Sequence, residues 1–384
     1  MKKKIIFAMI EAGGGHKSTA LAIAESLQLQ SQDTYDIQVL DFARAVGALH
    51  FDAEHKKMWQ NMLRKPLLTR VGYALQDFFG AIMRFGVLKW AEQFVDAAEK
   101  WFLENPVDMF VATHFLNAAV AIEAKRRNPD LTFPIVHFFV EPFHLTSTGF
   151  WPEVDLMVVG SERVRDRAVH RGMSADQVIL AGYPVRPSFF DIPGDLTALK
   201  KDLGIQDTKP TLIISSGAEG QGKLRAFAKA LVKADLPLNA LVICAKNEEL
   251  KAELHTWQPS CRTLNLIPLG FVSNMNELIA VSDVVAAKAG PASVFEAVFL
   301  KKPVFLFDFV AGHEWENIRF VQRQKVGWFT PSPRGFVRHL KKILKNPHIL
   351  DDAKTRLEAM EFKNASHAIA RILQDYLQKT IFTP

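Results

Sequence analysis

The chain has 384 residues, 48% of them hydrophobic and 23% charged, with a formal net charge of +6 at pH 7. That length exceeds the roughly 250 to 300 residues at which a single core stops growing, so two domains are expected, and the composition excludes a disordered or fibrous chain. The two cysteines, Cys244 and Cys261, form neither a C-x-x-C pair nor a metal spacing, which argues against a disulfide scaffold and for a reducing compartment.

The apolar run at residues 5–10 reads as a first strand. It follows three lysines but is too short for a signal peptide and ends in Glu11 and glycines. No uncharged run reaches the roughly 18 residues of a membrane span, so the chain is not expected to cross a bilayer, and a cytoplasmic protein, peripherally associated with the membrane, is expected. Next comes "EAGGGHKS", residues 11–18, between that strand and a run of helix formers at 19–27. A glycine turn at a helix N-terminus usually holds a phosphate. A P-loop would need glycine at 11 and 16, where Glu11 and His16 stand, and the dinucleotide fingerprint would need a third glycine at Ser18. What remains is an imidazole at the mouth of a helix, suited to taking a proton near neutral pH, or a plain tight turn.

Residues 56–89 carry seven basic side chains (Lys56, Lys57, Arg64, Lys65, Arg70, Arg84, Lys89) against one acid, Asp77. Extended to 102, the segment adds nine large aromatics, beginning with Trp59. Basic residues interleaved with rings suit an anionic membrane surface better than nucleic acid, and also suit an amphipathic helix whose rings are core. Around it, apolar runs alternate with helical patterns: "IIFAMI", "YDIQVLDF", "VDMFVATH", "FPIVHFFVE", "DLMVVGSE" and "QVILAGYP", then, beyond a stretch rich in proline and glycine at 182–196, "PTLIISSG", "NALVICA", "TLNLIPLG", "DVVAAKAG" and "PVFLFDF". Such runs separated by helices mean parallel sheets covered on both faces. Two doubly wound α/β domains are expected, with ligands at the carboxyl ends of their strands.

In the second series Gly217, Gly220, Gly222 and Lys223 approach a Walker sequence, but Leu224 stands where a hydroxyl would bind magnesium. These glycines and Lys223 can still receive a phosphate without metal. "KAGPASVFEAVF" follows, a strand end with Lys288, then Gly290, Pro291, Ala292 and Ser293 opening a helix whose first turn is read as holding Glu296. Amide groups there suit a diphosphate, although proline and serine also start helices that bind nothing. The loop after the last strand offers His313, Glu314 and Asn317. No Asp-x-Asp is present to hold a metal on a sugar diphosphate.

The run at 269–321, "LGFVSNMNELIAVSDVVAAKAGPASVFEAVFLKKPVFLFDFVAGHEWENIRFV", resembles the donor half of the monogalactosyldiacylglycerol synthases and processive diacylglycerol glucosyltransferases, relatives of the N-acetylglucosaminyltransferase that completes lipid II. "GGGHKSTALAI" and residues 154–189 are similar to that family's N-terminal glycine loop and interdomain stretch. The resemblance implies a GT-B fold, two Rossmann-like domains facing a central cleft. Residues 1–185 would form the acceptor and membrane-facing domain, 186–208 a linker and 209–384 the nucleotide-sugar domain, its last helix packing back on the first. His16 falls on the proposed catalytic base, beside Gly13, Gly14, Gly15, Glu141 (an aspartate in the family) and His144 on the acceptor side. Phe271 and Val272 would flank the base, Glu296 the ribose, the residues 290–293 the diphosphate, and His313, Glu314 and Asn317 the sugar. The implied reaction is inverting, metal-independent transfer of a hexose from a UDP-sugar to diacylglycerol or a related glycolipid, with no cofactor and no nucleic acid. Lys56, Lys57, Trp59, Arg64, Lys65 and Arg70 would rest on the anionic inner face of the membrane. The alternatives are a glycosyltransferase or epimerase of the same fold with another acceptor, and an inactive UDP-sugar-binding relative.

Overall fold

The computed structural model describes residues 2–379 apart from 12–13, 32, 65–71, 73–79, 218–221, 311–313 and 362–363. Each apolar run of the sequence becomes a strand. The residues separate into two compact units, one built on the chain up to Pro187 with the C-terminal helix, the other on Ser188–Val310 and the residues from Glu314 up to that helix.

The first unit contains β1 (Lys3–Met9), α1 (Gly14–Ser31), β2 (Tyr35–Asp41), α2 (Phe42–Ala45), α3 (Leu49–Arg64), α4 (Gly80–Trp90), α5 (Glu92–Glu104), β3 (Met109–Ala112), α6 (Phe115–Arg127), β4 (Ile135–Phe139), β5 (Leu156–Val159), α7 (Glu162–His170) and β6 (Val178–Leu180). The second contains α8 (Thr197–Asp202), β7 (Thr211–Ser215), α9 (Leu224–Ala234), β8 (Asn239–Ile243), α10 (Glu248–Trp257), β9 (Asn265–Leu269), α11 (Met275–Ala280), β10 (Val284–Lys288), α12 (Pro291–Phe299), β11 (Val304–Asp308), α13 (Trp315–Arg323), β12 (Gly327–Phe329), α14 (Pro333–Lys345) and α15 (His348–Ala359). The last helix, α16 (Ala365–Lys379), packs on α1 of the first unit.

Both sheets are parallel, with strand orders β2-β1-β3-β4-β5-β6 and β12-β11-β10-β7-β8-β9. Side-chain alternation explains why the strands are apolar throughout: Ile5, Phe7 and Met9 point into a core shared with α1 and α16, while Ile6, Ala8 and Ile10 point into one shared with α2, α5 and α6. Gln30 Nε2 donates to the carbonyl of His367 at 3.2 Å, fastening α16 to α1. The short β12 has no counterpart among the sequence runs. A Cβ on its Gly327 would collide with the backbone of Val304 on β11, so only glycine lets this edge strand pair.

In each sheet the chain reverses its direction of travel once. In the first unit this happens between β1 and β3, in the second between β7 and β10. Loops leave such a point to opposite sides and open a crevice at the carboxyl ends. The glycine turn before His16 follows β1, and the loops of Gly217 and Gly290 follow β7 and β10.

Candidate functional sites at the two switch points

In the first unit, α1 begins at Gly14, and His16 lies in its first turn. Gly13 lies outside the described residues. A Cβ at Gly14 would meet nothing within 4 Å, so no protein atom there demands a glycine. The imidazole is held from β3: its Nδ1 is 2.6 Å from the carbonyl oxygen of Thr113. A carbonyl only accepts, so Nδ1 carries the proton and Nε2 keeps the lone pair. The Thr113 hydroxyl donates in turn to the His16 carbonyl at 3.1 Å, tying the end of β3 to the start of α1. Burial lowers the His16 pKa from 6.5 to about 4, outweighing the opposing hydrogen bond to Thr113. The positive end of α1 acts in the same direction. His16 is therefore a neutral imidazole with one fixed tautomer.

Three more imidazoles adjoin it. His114, the N-cap of α6, has its ring centroid 4.5 Å from that of His16, and His55 on α3 lies 5.4 Å beyond His114. His137 on β4 is the register partner of Ala112, next to Thr113. All three are buried, and burial is the main cause that lowers their pKa values, to about 4 for His55 and about 3 for His137. Thr113, His114 and His55 are absent from the sequence-derived site. A signal existed for two of them, since "ATH" closes a strand run just as "EAGGGH" does. Glu141 and His144 lie in the loop after β4 and are half-buried.

The basic aromatic segment departs from its expected role at two named residues. Lys56 turns inward, its Nζ 2.9 Å from Asp52 Oδ2 and 3.6 Å from Asp41 Oδ2, and Trp59 packs against the core. The reason is the buried Asp52. Desolvation alone would raise its carboxyl, but hydrogen bonds from Arg44 and Lys56 outweigh burial and hold it below the usual range. Lys57 is exposed on the outer face of α3, Arg64 ends that helix, and Lys65 and Arg70 lie outside the described residues. On α4, Ile82 and Phe85 are each 72% exposed, and Lys89 is exposed one turn further along the same face. Among the described residues, an apolar and basic face is presented by α4, while the inner side of α3 faces the core.

In the second unit, Gly217 and Gly222 bracket the loop after β7 with φ of +76° and +82°, which a side chain would strain. Gly220 lies outside the described residues. Lys223 opens α9 with Nζ 3.0 Å from Asp308 Oδ1 at the end of β11. Gly290 is the N-cap of α12, Pro291 occupies its first position, and Ala292 and Ser293 are half-buried in the first turn. Glu296 is the sixth residue of α12, so it stands in the second turn and not the first, as the sequence reading had it.

Under this turn, Glu314 is buried and receives Lys288 Nζ at 2.7 Å and the Val310 amide at 2.5 Å. Asn317, also buried, donates to the Ala289 carbonyl at 2.9 Å. Both brace the Gly290 turn from below through these bonds. His313 lies outside the described residues. Phe271 is 71% exposed in the loop after β9, with Val272 half-buried beside it.

Residues 211–369 match the glycosyltransferase family 28 C-terminal domain. The monogalactosyldiacylglycerol synthase of Spinacia oleracea chloroplasts is 27% identical over 356 residues, covering 86% of this chain and 64% of its own length. The chain therefore spans a little under two thirds of that relative. Among solved structures, UDP-GlcNAc 2-epimerase from Neisseria meningitidis, bound to UDP-GlcNAc, superposes with TM-score 0.62 at 13% identity over 99% of this chain and 100% of its own. Acinetobacter baumannii MurG gives 0.59 at 16%, over 98% and 100%. The two six-stranded parallel sheets and these likenesses show a GT-B fold of two Rossmann-like domains.

Proposed function

We propose, from the premise that the chain carries a family 28 glycosyltransferase domain on a GT-B fold, that it transfers a hexose from a UDP-sugar to a hydroxyl of diacylglycerol or a related glycolipid, with inversion and without a metal ion. The observation that carries this reading is the bond from His16 Nδ1 to the Thr113 carbonyl at 2.6 Å, which leaves Nε2 as a base. The acceptor proton passes to Nε2 while the acceptor oxygen attacks the anomeric carbon. The bond from that carbon to the diphosphate oxygen breaks, and UDP leaves with its electron pair. A base with a pKa of about 4 does not ionise a resting hydroxyl. Its proton transfer belongs to the transition state, where the hydroxyl turns acidic as the new C–O bond forms, and such catalysis contributes roughly 10²- to 10⁴-fold.

On the donor side, amides at the start of α12, Lys223 and Lys288 offset the charge of the departing diphosphate, a preorganised electrostatic role. Phe271, 71% exposed, offers a face for the uracil ring. The lipid acceptor reading rests on the spinach relative. The exposed Ile82, Phe85 and Lys89 of α4 suit an anionic membrane surface, rings in the interface and lysine at the headgroups. Among the described residues no helix is long and apolar enough to cross a membrane, and we infer peripheral attachment at the inner face.

The test is UDP release from UDP-glucose, UDP-galactose and UDP-N-acetylglucosamine, with and without diacylglycerol vesicles. Release that needs vesicles and yields a glycolipid supports the reading. Epimerised sugar without lipid would replace it by the epimerase alternative. Activity is expected to survive EDTA, and strict dependence on added metal would reject the amide-and-lysine account.

A further inference from the structure

The ring that touches His16 belongs to a residue with a second attachment. The Nδ1 of His114 accepts the amide hydrogen of Leu116 at 3.2 Å and so caps α6. That bond also fixes the tautomer of His114, with Nε2 protonated and Nδ1 occupied. His114 is therefore neutral where it stands. Its ring meets that of His16 at 61° with centroids 4.5 Å apart, stacks on Phe115 at 4.7 Å, and is backed by His55 at 5.4 Å. Asn, Asp or Ser would cap a helix better than histidine, so capping alone does not account for an imidazole here.

We propose that His114 is a positioning residue with two separable tasks: its Nδ1 caps α6, and its ring forms the wall that keeps water from one side of His16 and holds that ring against the Thr113 carbonyl. This rests on the reading of His16 as the base. Removing the ring admits more water beside the half-buried His16 and raises its affinity for a proton, because burial is the main cause that depresses it. The other charged or titratable groups around the site leave this role to His114. His55, Asp52 and Lys56 come from α3, the last two already paired with each other. His137 comes from β4. Glu11 and Lys17 pair at 3.7 Å at the start of α1, and Asp41 closes β2 against Lys56.

Two substitutions separate the tasks in the full chain. His114→Asn keeps a capping oxygen and deletes the ring. His114→Phe keeps a ring and deletes the acceptor. The readout is the NMR titration of the His16 imidazole, which needs no turnover. In the unsubstituted chain and in His114→Phe, His16 is expected to stay neutral down to pH 5, with His114→Phe melting lower for want of the cap. In His114→Asn the midpoint should rise by at least about one unit, a tenfold gain in proton affinity, with the melting temperature retained. His114→Ser, which also caps, gives the same measurement should the Asn variant fold poorly. A folded Asn or Ser variant with His16 still neutral at pH 5 overturns the proposal, as does a raised midpoint in His114→Phe. A shifted midpoint together with full activity of His16→Ala would leave the wall standing and remove the base.

Discussion

The two switch points share one topology and hold opposite chemistry. At the first, between β1 and β3, the groups that meet are neutral imidazoles, His16 half-buried at the helix mouth and His114 and His55 buried behind it. At the second, between β7 and β10, they are lysines matched to carboxylates, Lys223 to Asp308 and Lys288 to Glu314, beside the opening turn of α12. The proposed function accounts for the difference. A site meant to accept a proton from an alcohol gains from a low dielectric and no fixed charge. One meant for a diphosphate needs cations and amides, and carboxylates hold those cations in place without a ligand. Parallel sheets supply the crevice, and the loop side chains decide its use.

The comparison breaks most sharply at His16. Replacing it with Ala should lower turnover by about 10²- to 10⁴-fold, with UDP affinity by calorimetry nearly unchanged because the proposed nucleotide site is in the other unit. Retained activity would move the search for a base to Glu141 or His144. Next in size, Glu314→Ala strips the buried partner from Lys288 and from the Val310 amide. It should cost about 3 kcal/mol of stability in urea unfolding, together with a loss of UDP affinity. A variant of unchanged stability would show that Glu314 does not brace the turn.

Acid sharpens the contrast further. The folded pKa values of His16 and His55, about 4, and of His137, about 3, lie below the 6.5 of a free imidazole. Protons therefore favour the unfolded chain. Stability contributed by these groups is complete above pH 6.5 and declines as the pH falls toward 4, by about 2 kcal/mol per imidazole at pH 5. Urea unfolding at pH 7.5 and 5 reads this, and equal midpoints would mean that the imidazoles are hydrated. The smallest effect belongs to the surface. Lys57→Gln with Lys89→Gln should weaken binding to anionic vesicles by about 1 kcal/mol each, and Phe85→Ser should weaken binding at high salt as well. Equal binding of all forms to neutral and anionic vesicles would reject α4 as the contact.

Much of the fold was legible because burial on both faces of a parallel strand leaves a local mark, a short apolar run, ended in several cases by glycine, repeated from "IIFAMI" to "PVFLFDF". The three-residue β12 was not, since so short a strand carries no periodicity and depends on Gly327 lying against Val304. At the sites, His16, Lys223, Lys288 and Gly290 could be found from glycine turns at strand ends. The inward turn of Lys56 could not, because Asp52 is one helical turn away in sequence but its burial is decided only when the chain folds around it.

By itself the amino-acid sequence determined where strands end and helices begin, since these follow from neighbours a few residues apart: apolar alternation, a glycine turn, Pro291 at a helix start. It also determined that a histidine would stand at one strand end and lysines at another. Only the tertiary structure decided that Thr113, 97 positions from His16, would fix its tautomer, that His114 and His55 would close around it, and that Glu314 would go beneath the Gly290 turn. These pairings arise when crossovers bring distant strand ends side by side, and the low dielectric that gives the imidazoles their character exists only once the surrounding core has closed.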